Sequence, residues 1–327
     1  MENNFGIHSI GVSLPEKRIS LEELCETYSI DFSTAKTKVN FVTKCIASRD
    51  DEHPSDFCYQ ASLDALKKLN LNKDDIGLVI YTGVSKDYLP SWTMAIEIIR
   101  RLNLKNAIGF DLTLGCVSSL IALKQQNPSN KNTFILICAA ERWAHTLSEK
   151  VNFSIGTLAH ADGGSACIIG PSANNRFGNL QGQTYPELNS YIFTPAGGTK
   201  EPFSEESLKN NRHFRQRGTA DINIVDHYIS SYDNVVNGCL RANSLKRDDP
   251  QYYIINQVRD SMRSQILAKL GIALEKSPYT YGQLGHLGSA DLFISLDRVL
   301  ASVKSGNSIM ASSSTPSVYA ALPIFFS

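Results

Sequence analysis

The stretch GFDLTLGCVSSLIAL, from Gly109 to Leu123, decides the fold of this chain. Residues 110–114 form a short apolar run that predicts a strand, and Gly115 allows a sharp turn after it. Apolar residues at helical spacing follow, so a helix is expected to begin at Cys116. A thiol at a helix N-terminus meets free N–H groups and the positive end of the helix dipole, which favour the thiolate. Cys116 is therefore a candidate nucleophile, and the alternative is a small buried apolar residue.

Composition describes a chain that can bury a large core. The 327 residues are 42% hydrophobic and 20% charged, which suggests two domains or one duplicated domain. The 32 basic and 32 acidic residues balance, so nucleic-acid binding gets no support. Residues 1–6 lack the basic and apolar segments of a signal peptide, and no run of about 18 apolar residues exists. We therefore expect neither secretion nor a membrane span.

The number and spacing of the cysteines indicate the cellular compartment of the protein. There are seven, an odd number, and they form no CxxC pair. This usage is typical of a reducing cytoplasm and disfavours a disulfide scaffold or a zinc site.

Strand and helix patterns alternate along both halves of the chain. In the first half we predict strands at 5–12, 76–81, 110–114 and 133–140, helices at 20–28 (capped by Ser20), 55–69, from 88 and from 116 to about 127, and a glycine-rich turn at 161–164 feeding a strand. In the second half we predict surface connections with weak strand signals at 178–217, helices at 221–240, 261–270 and after the turn at 281–288, and strands at 252–256, 308–311 and 319–326, with a loop at 312–317. The fold class is α/β, with duplicated halves at 1–172 and 173–327.

The two halves repeat one feature. Gly115 and Cys116 precede a helix in the first half, and Gly285 and His286 precede one in the second. A duplicated α/β core would place these two helix starts at the middle of the molecule, facing each other.

Several motifs point to a family when taken in order. They are 110–112 before Cys116, 161–166 (ADGGSA), Asn256-Gln257, 269–271 (KLG) and 285–290 (GHLGSA). With them, the chain resembles the thiolase-fold β-ketoacyl-acyl-carrier-protein synthase III group over nearly its whole length. The resemblance implies an α/β/α/β/α layered subunit, a homodimer, and a buried cysteine reached through a pantetheine tunnel.

Two residues depart from the condensing members of that group. Those members carry a histidine at the strand end and an asparagine before the later helix, whereas here Asn256 and His286 have exchanged these places. Thiolases share the order seen here, but their second cysteine is missing from the loop at 312–316. The chain is most similar to synthase III-like acyltransferases of antibiotic pathways, which use a cysteine and a histidine at the His286 place. An acidic residue just after that histidine assists it, and Asp291 is the candidate here.

The chemistry follows from these residue types. Cys116 would attack a thioester, and His286 would take the thiol proton and later deprotonate the acceptor. Asp291 would hold the imidazole tautomer. The alternatives are that His286 is a core histidine with satisfied hydrogen bonds and that Asp291 only complements a helix dipole.

Oxyanion stabilisation is expected from main-chain N–H groups of Cys116 and of the loop at 313–315, with Ser314 and Thr315 as candidates. Pro316 has no N–H and is excluded. Asn256 can donate its amide to a thioester oxygen but cannot act as a base. The resemblance places Leu89 in the acyl pocket, contributed across the dimer, although a plain core role is equally compatible.

The donor is expected to be the phosphopantetheine thioester of an acyl carrier protein or an acyl-CoA, with no permanently bound cofactor or metal. Basic side chains that could meet an acidic carrier are Lys36, Lys38, Lys44 and those at 212–217, although such charges usually serve solvation. His160 is interpreted as a packing residue or as a support to the site.

The leading hypothesis is an acyltransferase (EC 2.3.1-like) of specialised metabolism that passes an acyl group from Cys116 to a small hydroxyl or amine. The first alternative is decarboxylative carbon–carbon condensation, for which Asn256 and His286 still supply an amide and an imidazole. The second is a non-catalytic subunit that shapes the pocket of another synthase.

Overall fold

The computed structural model describes residues 5–49, 51–69, 71–89, 91–125, 133–143 and 155–327. Its strands are β1 (Gly6–Ser13), β2 (Arg18–Ser20), β3 (Thr43–Cys45), β4 (Ile76–Tyr81), β5 (Ile108–Asp111), β6 (Phe134–Arg142), β7 (Asp162–Gly170), β8 (Asn175–Phe177), β9 (Gln181–Thr184), β10 (Ile192–Phe193), β11 (Gln216–Arg217), β12 (Pro250–Ile254), β13 (Ser308–Thr315) and β14 (Val318–Phe326). Its α-helices are α1 (Leu21–Tyr28), α2 (Phe32–Lys38), α3 (Pro54–Leu69), α4 (Met94–Leu102), α5 (Ser118–Ala122), α6 (Glu205–Lys209), α7 (Ile224–Ala242), α8 (Asp260–Leu270), α9 (Tyr281–Leu284) and α10 (Asp291–Leu300). Short 3₁₀ helices lie at Lys73–Asp75, Ile155–Ala159, Pro186–Leu188, Leu274–Lys276 and Gly288–Ala290.

The first sheet has the strand order β1-β7-β6-β4-β5. β4 is parallel to β5 and β6, and β7 is antiparallel to β6 and β1. Every residue of β4 is buried, as expected for a strand inside a sheet covered on both faces. The predicted strand at 76–81 is confirmed, and so is the Ser20 cap, which forms a capping box with Glu23 at the start of α1.

The glycine-rich turn predicted at 161–164 is wrong. β7 begins at Asp162, so Gly163 and Gly164 lie within the strand. A Cβ added at Gly164 would lie 2.8 Å from Cβ of Phe57 on α3. Gly164 therefore allows α3 to pack closely on the sheet, and neither glycine forms a turn.

The helix predicted from residue 88 begins six residues later, at Met94. The carboxylate of Asp111 on β5 accepts hydrogen bonds from the main-chain nitrogens of Met94 (3.1 Å) and Ala95 (2.9 Å). A side chain on a neighbouring strand thus satisfies the first N–H groups of α4, a partner that local sequence does not reveal.

The second sheet has the order β12-β13-β14-β8, and β9 also pairs with β14. β13 continues to Thr315, so four residues of the loop predicted at 312–317 belong to the strand. Its pairing with β14 extends to Thr315 opposite Val318, and Ser312 and Ser314 are buried. The segment 178–217 also holds more structure than expected, since it contains β9 and the pair of β10 with β11.

The helices form layers around the two sheets. α3 and α4 cover one face of the first sheet, and α7 and α8 cover one face of the second. α5 and α10 lie between the sheets, where Leu120 and Phe293 share a buried cluster with Ile80 and Ile309. This is the predicted α/β/α/β/α order, while the division at residues 172 and 173 stays a prediction. No described helix has both the length and the apolar character needed to cross a membrane.

Candidate active site

Cys116 lies in a tight turn between β5 and α5. Gly115 has φ +65°, and the turn is closed by hydrogen bonds from Leu114 N to Ser118 Oγ (2.7 Å) and from Ser118 N to Gly115 O (3.0 Å). Cys116 is partly exposed, whereas the other six cysteines are buried. This difference in exposure favours the prediction that Cys116 is a nucleophile over the alternative that it is a small buried apolar residue.

The expected help from a helix dipole is weaker than the sequence suggested. α5 has only five residues and begins two residues after Cys116, with Val117 at the N-cap position. The dipole of so short a helix is small, so the thiolate needs another partner. The predicted end of this helix near Asn127 lies outside the described residues.

His286 is that partner. Its Nε2 lies 3.5 Å from Sγ of Cys116. Gly285 has φ +79°, and main-chain hydrogen bonds join His286 N to Ala159 O (2.7 Å) and Ala161 N to His286 O (2.9 Å). Because both the main-chain N–H and C=O of His286 are hydrogen-bonded, the backbone that carries the imidazole is fixed in place. His286 reaches Cys116 from the C-terminal half of the chain.

Asp291 holds the other ring nitrogen. Its Oδ2 lies 2.5 Å from Nδ1 of His286, and its Oδ1 accepts from Leu287 N at 3.1 Å. The carboxylate stands at the first residue of α10, yet it is directed at the imidazole, so complementing a helix dipole is not its only role. Together Cys116, His286 and Asp291 have the arrangement expected of a nucleophile, a base and a group that orients the base, which are the roles predicted from the sequence.

The charges within this group favour the imidazolium. Burial opposes the charged form of His286, but the Asp291 carboxylate, the Cys116 thiolate and hydrogen bonds to both outweigh it and raise the pKa of His286 to about 10. A protonated imidazole beside sulfur stabilises a thiolate, which is the reactive form of cysteine.

Asn256 hydrogen-bonds Ser314 near the end of β13, beside Cys116 and His286. Its Nδ2 donates to Ser314 O at 2.8 Å, and its Oδ1 accepts from Ser314 N at 3.2 Å. The Ser314 N–H expected to serve an oxyanion is thus donated to Asn256. Thr315 stays a candidate, and it lies against the cysteine turn, because a Cβ added at Gly115 would be 2.5 Å from Thr315 Cγ2.

The other predicted residues lie around the site or on the surface. Leu89 is 73% exposed, so its place in an acyl pocket requires a second chain and stays a prediction. Lys44 is buried and donates to His160 O at 2.8 Å, so the expectation that it meets an acidic carrier is wrong. Lys36 and Lys38 are exposed. The His160 ring packs against Trp143 and His286, with centroid distances of 4.6 Å and 5.7 Å, in agreement with the interpretation of a packing residue.

Sequence reasoning missed three residues. Trp143 packs on His286 at 5.4 Å between ring centroids and carries the Arg215 guanidinium 4.7 Å above its own ring. Glu141 accepts from Val84 N and Ser85 N, while burial, opposed by these hydrogen bonds, raises its pKa to about 7. Tyr228 contacts Asn256 and Ser314 from α7. A signal existed only for Tyr228, which shares a helix face with Tyr232 four residues on.

The C-terminal part of the chain matches the model of a known protein family. Residues 240–316 match the model described as 3-Oxoacyl-[acyl-carrier-protein (ACP)] synthase III C terminal. Two curated relatives carry the name β-ketoacyl-[acyl-carrier-protein] synthase III. The protein of Fusobacterium nucleatum is 25% identical over 94% of this chain and 93% of its own length, and that of Chlamydia caviae is 24% identical over 90% and 88%.

Solved structures share the fold. A 3-oxoacyl-(acyl-carrier-protein) synthase III has a TM-score of 0.85 at 20% identity, covering 99% of this chain and 100% of its own. The priming β-ketosynthase of the R1128 polyketide pathway has a TM-score of 0.84 at 17% identity, covering 99% and 96%. Cerulenin-bound OleA of Xanthomonas campestris has a TM-score of 0.80 at 16% identity, covering 99% of each chain. These likenesses identify the thiolase fold.

Proposed function

We propose that this chain, which is similar to β-ketoacyl-acyl-carrier-protein synthase III proteins of the thiolase fold, is an acyltransferase of specialised metabolism. It takes an acyl group from a thioester onto Cys116 and passes it to a small hydroxyl or amine acceptor. The observation that carries this proposal is the contact of His286 with both Cys116 and Asp291.

The geometry supports two half-reactions. In the first, His286 holds the proton of the Cys116 thiol, the sulfur attacks the thioester carbonyl, and the departing thiol takes the proton from the imidazolium. In the second, neutral His286 accepts a proton from the acceptor as its oxygen or nitrogen attacks the acyl carbon. Collapse of the intermediate then breaks the bond from that carbon to Cys116 Sγ and restores the thiolate beside the imidazolium. Asp291 keeps Nε2 directed at the reacting atoms in both steps.

The position of Asn256 separates this proposal from condensation. A decarboxylating synthase needs donors aimed at an enolate, but the amide of Asn256 is bonded to both main-chain groups of Ser314. Condensation remains the runner-up, because the curated relatives carry the synthase name. Release of CO₂ from a malonyl thioester, dependent on His286 and Asn256, would favour it.

We propose an acyl carrier protein or CoA as the carrier of the donor thioester. The family matches are named for acyl-carrier-protein synthases, and the exposed Lys36 and Lys38 offer positive charge to an acidic carrier. We also propose that the protein is cytoplasmic, because its seven cysteines are free thiols, as is usual in a reducing compartment.

A homodimer is part of the proposal. Among the described residues β5 is an edge strand of the first sheet, so one side of it has main-chain groups that pair with no other described strand. Large apolar side chains are exposed on it and near it, at Tyr88, Leu89, Ile96, Ile108, Phe110 and Leu114. Such a patch at a sheet edge is typical of a protein interface, and a second chain there would bring Leu89 toward the partner's pocket.

Incubation with carrier-protein and CoA thioesters of short and medium acyl groups, followed by intact-mass measurement, tests the first half-reaction. We expect one adduct on wild-type protein and none on Cys116→Ala. Adding candidate hydroxyl and amine acceptors should then discharge it. Absence of any adduct would favour the non-catalytic subunit, which gel filtration with a neighbouring synthase would detect, although retention of Cys116 with its base argues against that role.

A further inference from the structure

Two consecutive serines at the start of α5 serve opposite sides of the site. The hydroxyl of Ser118 closes the turn that carries Cys116. The hydroxyl of Ser119, which has no part in the two half-reactions, donates instead to the main-chain oxygen of Ser289 at 2.8 Å. Ser289 lies in the segment between His286 and α10. This hydrogen bond therefore joins the helix after the cysteine to the turn after the histidine.

The donor and the acceptor of each contact follow from the chemistry of the groups. A carbonyl oxygen only accepts, so the hydrogen of the Ser119 hydroxyl goes to Ser289 O. Thr82, directly after β4, has its Oγ1 2.7 Å from Ser119 Oγ, and it donates there because the Ser119 hydrogen is already used. Ser119, Ser289 and Thr82 are all fully buried. The Ser119 hydroxyl thus has one donor and one acceptor in a place that water does not reach.

The two residues of this bond stand at matching positions in the chain. Ser119 follows Cys116 by three residues, and Ser289 follows His286 by three. The contact of Cys116 Sγ with His286 Nε2 at 3.5 Å and the bond of Ser119 to Ser289 O at 2.8 Å thus close a ring through two short chain segments. A shift of α5 against the histidine turn therefore changes the distance from sulfur to imidazole.

Apolar packing alone specifies this distance weakly. α5 lies between the sheets, where Leu120 and Phe293 of α10 belong to one buried apolar cluster. Apolar burial is non-directional, whereas a hydrogen bond has a preferred distance and angle. A buried hydroxyl that loses its acceptor costs free energy, so the bond from Ser119 selects one relative position of the helix and the turn.

Building on the proposed acyl transfer, we propose that Ser119 is a positioning residue, which holds Cys116 and His286 at the distance where the imidazolium stabilises the thiolate. The attraction between the two charges falls as their separation grows, so loosening the link lowers the share of thiolate at neutral pH. Because Ser119 is fully buried, it touches neither the thioester nor the acceptor. It acts through the turn that carries His286.

Alkylation of Cys116 by iodoacetamide from about pH 6 to about pH 10 tests this role, since the thiolate is the reacting form. Wild type is compared with Ser119→Ala, His286→Asn and the double variant. Ser62→Ala is the matched control, because Ser62 is equally buried and its hydroxyl donates to Cys58 O at 2.7 Å within α3.

Intact mass checks the fold of each variant, because a single adduct per chain shows that the six buried cysteines stay protected. The loss of one hydrogen bond is small against the stability of a domain, so the variants should fold. Other titratable or charged groups near the pair are the same in every variant, so they do not produce a difference between variants. Among the described residues these groups are Asp291, His160, Glu141, Tyr228 and Arg215.

We expect Ser119→Ala to be alkylated about three- to tenfold more slowly than wild type at pH 7, and at the wild-type rate at pH 10, where the thiolate forms without help. In the His286→Asn background the same substitution should have no further effect, because the group through which Ser119 acts is gone. Ser62→Ala should follow the wild-type profile.

Three results would overturn the positioning role of Ser119. They are an unchanged rate for Ser119→Ala at pH 7, an equal loss of rate at every pH, and an equal loss in the His286→Asn background. Acylation by N-acetylcysteamine thioesters, measured in parallel, separates this role from the proposed function. If wild-type protein forms no acyl adduct while alkylation depends on Ser119 as expected, the proposed function fails and the positioning of the pair stands.

Discussion

Sγ of Cys116 lies 3.5 Å from Nε2 of His286, although 170 positions separate the two residues in the chain. This contact joins the turn after β5 to the turn before α10 and thus links the two sheets through the site. Under the proposed function this contact makes Cys116 the nucleophile of a pair, and the consequences of that role are measurable.

The pH dependence of thiol reactivity should report the pair. Because the pKa of His286 is raised to about 10, its imidazolium persists at neutral pH and is lost only as the pH rises through that value, so wild-type alkylation should exceed that of the His286→Asn variant most clearly at neutral pH. An ordinary cysteine is only a few per cent ionised at pH 7. His286→Asn should therefore be alkylated about tenfold or more slowly at pH 7 and recover as the pH rises. A flat profile in this variant would contradict the pairing.

Asp291→Asn should lower the acylation rate by about a hundredfold or more. The amide cannot neutralise the imidazolium, and it can present an N–H to Nδ1 and select the wrong tautomer. Asp297→Asn on the same helix is the control, since that side chain is 38% exposed and only pairs with Lys68 at 3.6 Å. Comparable rates for the two variants would show that Asp291 does not orient His286.

Gly115→Ala should destabilise the protein and slow acylation. Both Gly115 and Gly306 have positive φ, so alanine at either costs about 1–2 kcal/mol of conformational energy. Only at Gly115 does the new Cβ collide, at 2.5 Å from Thr315 Cγ2, whereas at Gly306 nothing lies within 4 Å. Urea unfolding should show a loss for both variants, and acyl-transfer assays should show a loss of rate for Gly115→Ala alone.

Asn256→Ala should cost about 1–3 kcal/mol of unfolding free energy, because it leaves both main-chain groups of Ser314 without their partner. Asn237→Ala serves as the comparison, as its amide bonds only Asp233 on the same helix at 2.7 Å. Denaturant titration measures both. An Asn256 variant that stays fully stable yet loses acylation would instead indicate direct contact with the thioester.

Phe110→Glu should dissociate the proposed homodimer. The ring is 40% exposed on edge strand β5, and a carboxylate there would be buried without a partner on association. Ile222→Glu is the control, at a site 46% exposed just before α7. Sedimentation velocity at several protein concentrations should show a monomer only for Phe110→Glu, and a wild-type monomer would refute this interface.

Much of the fold is predictable because its signals are local. The apolar run at 76–81 became β4 with the predicted bounds, and Ser20 caps α1 through Glu23, three residues away. The errors arose where a distant partner decides the outcome. α4 begins where Asp111 caps it, and β13 extends as far as β14 pairs with it.

The sequence by itself determined the order of strands and helices, the cysteine and histidine at matching turns, and the family resemblance, because periodicity and glycine positions are recorded along the chain. Only the tertiary structure decided which groups meet. It directed Asp291 at His286, bonded Asn256 to Ser314 across 58 positions, and brought Tyr228 to their side. The physical reason is that a pattern specifies which face of an element is buried. The distance between two side chains depends on the packing of elements far apart in the chain.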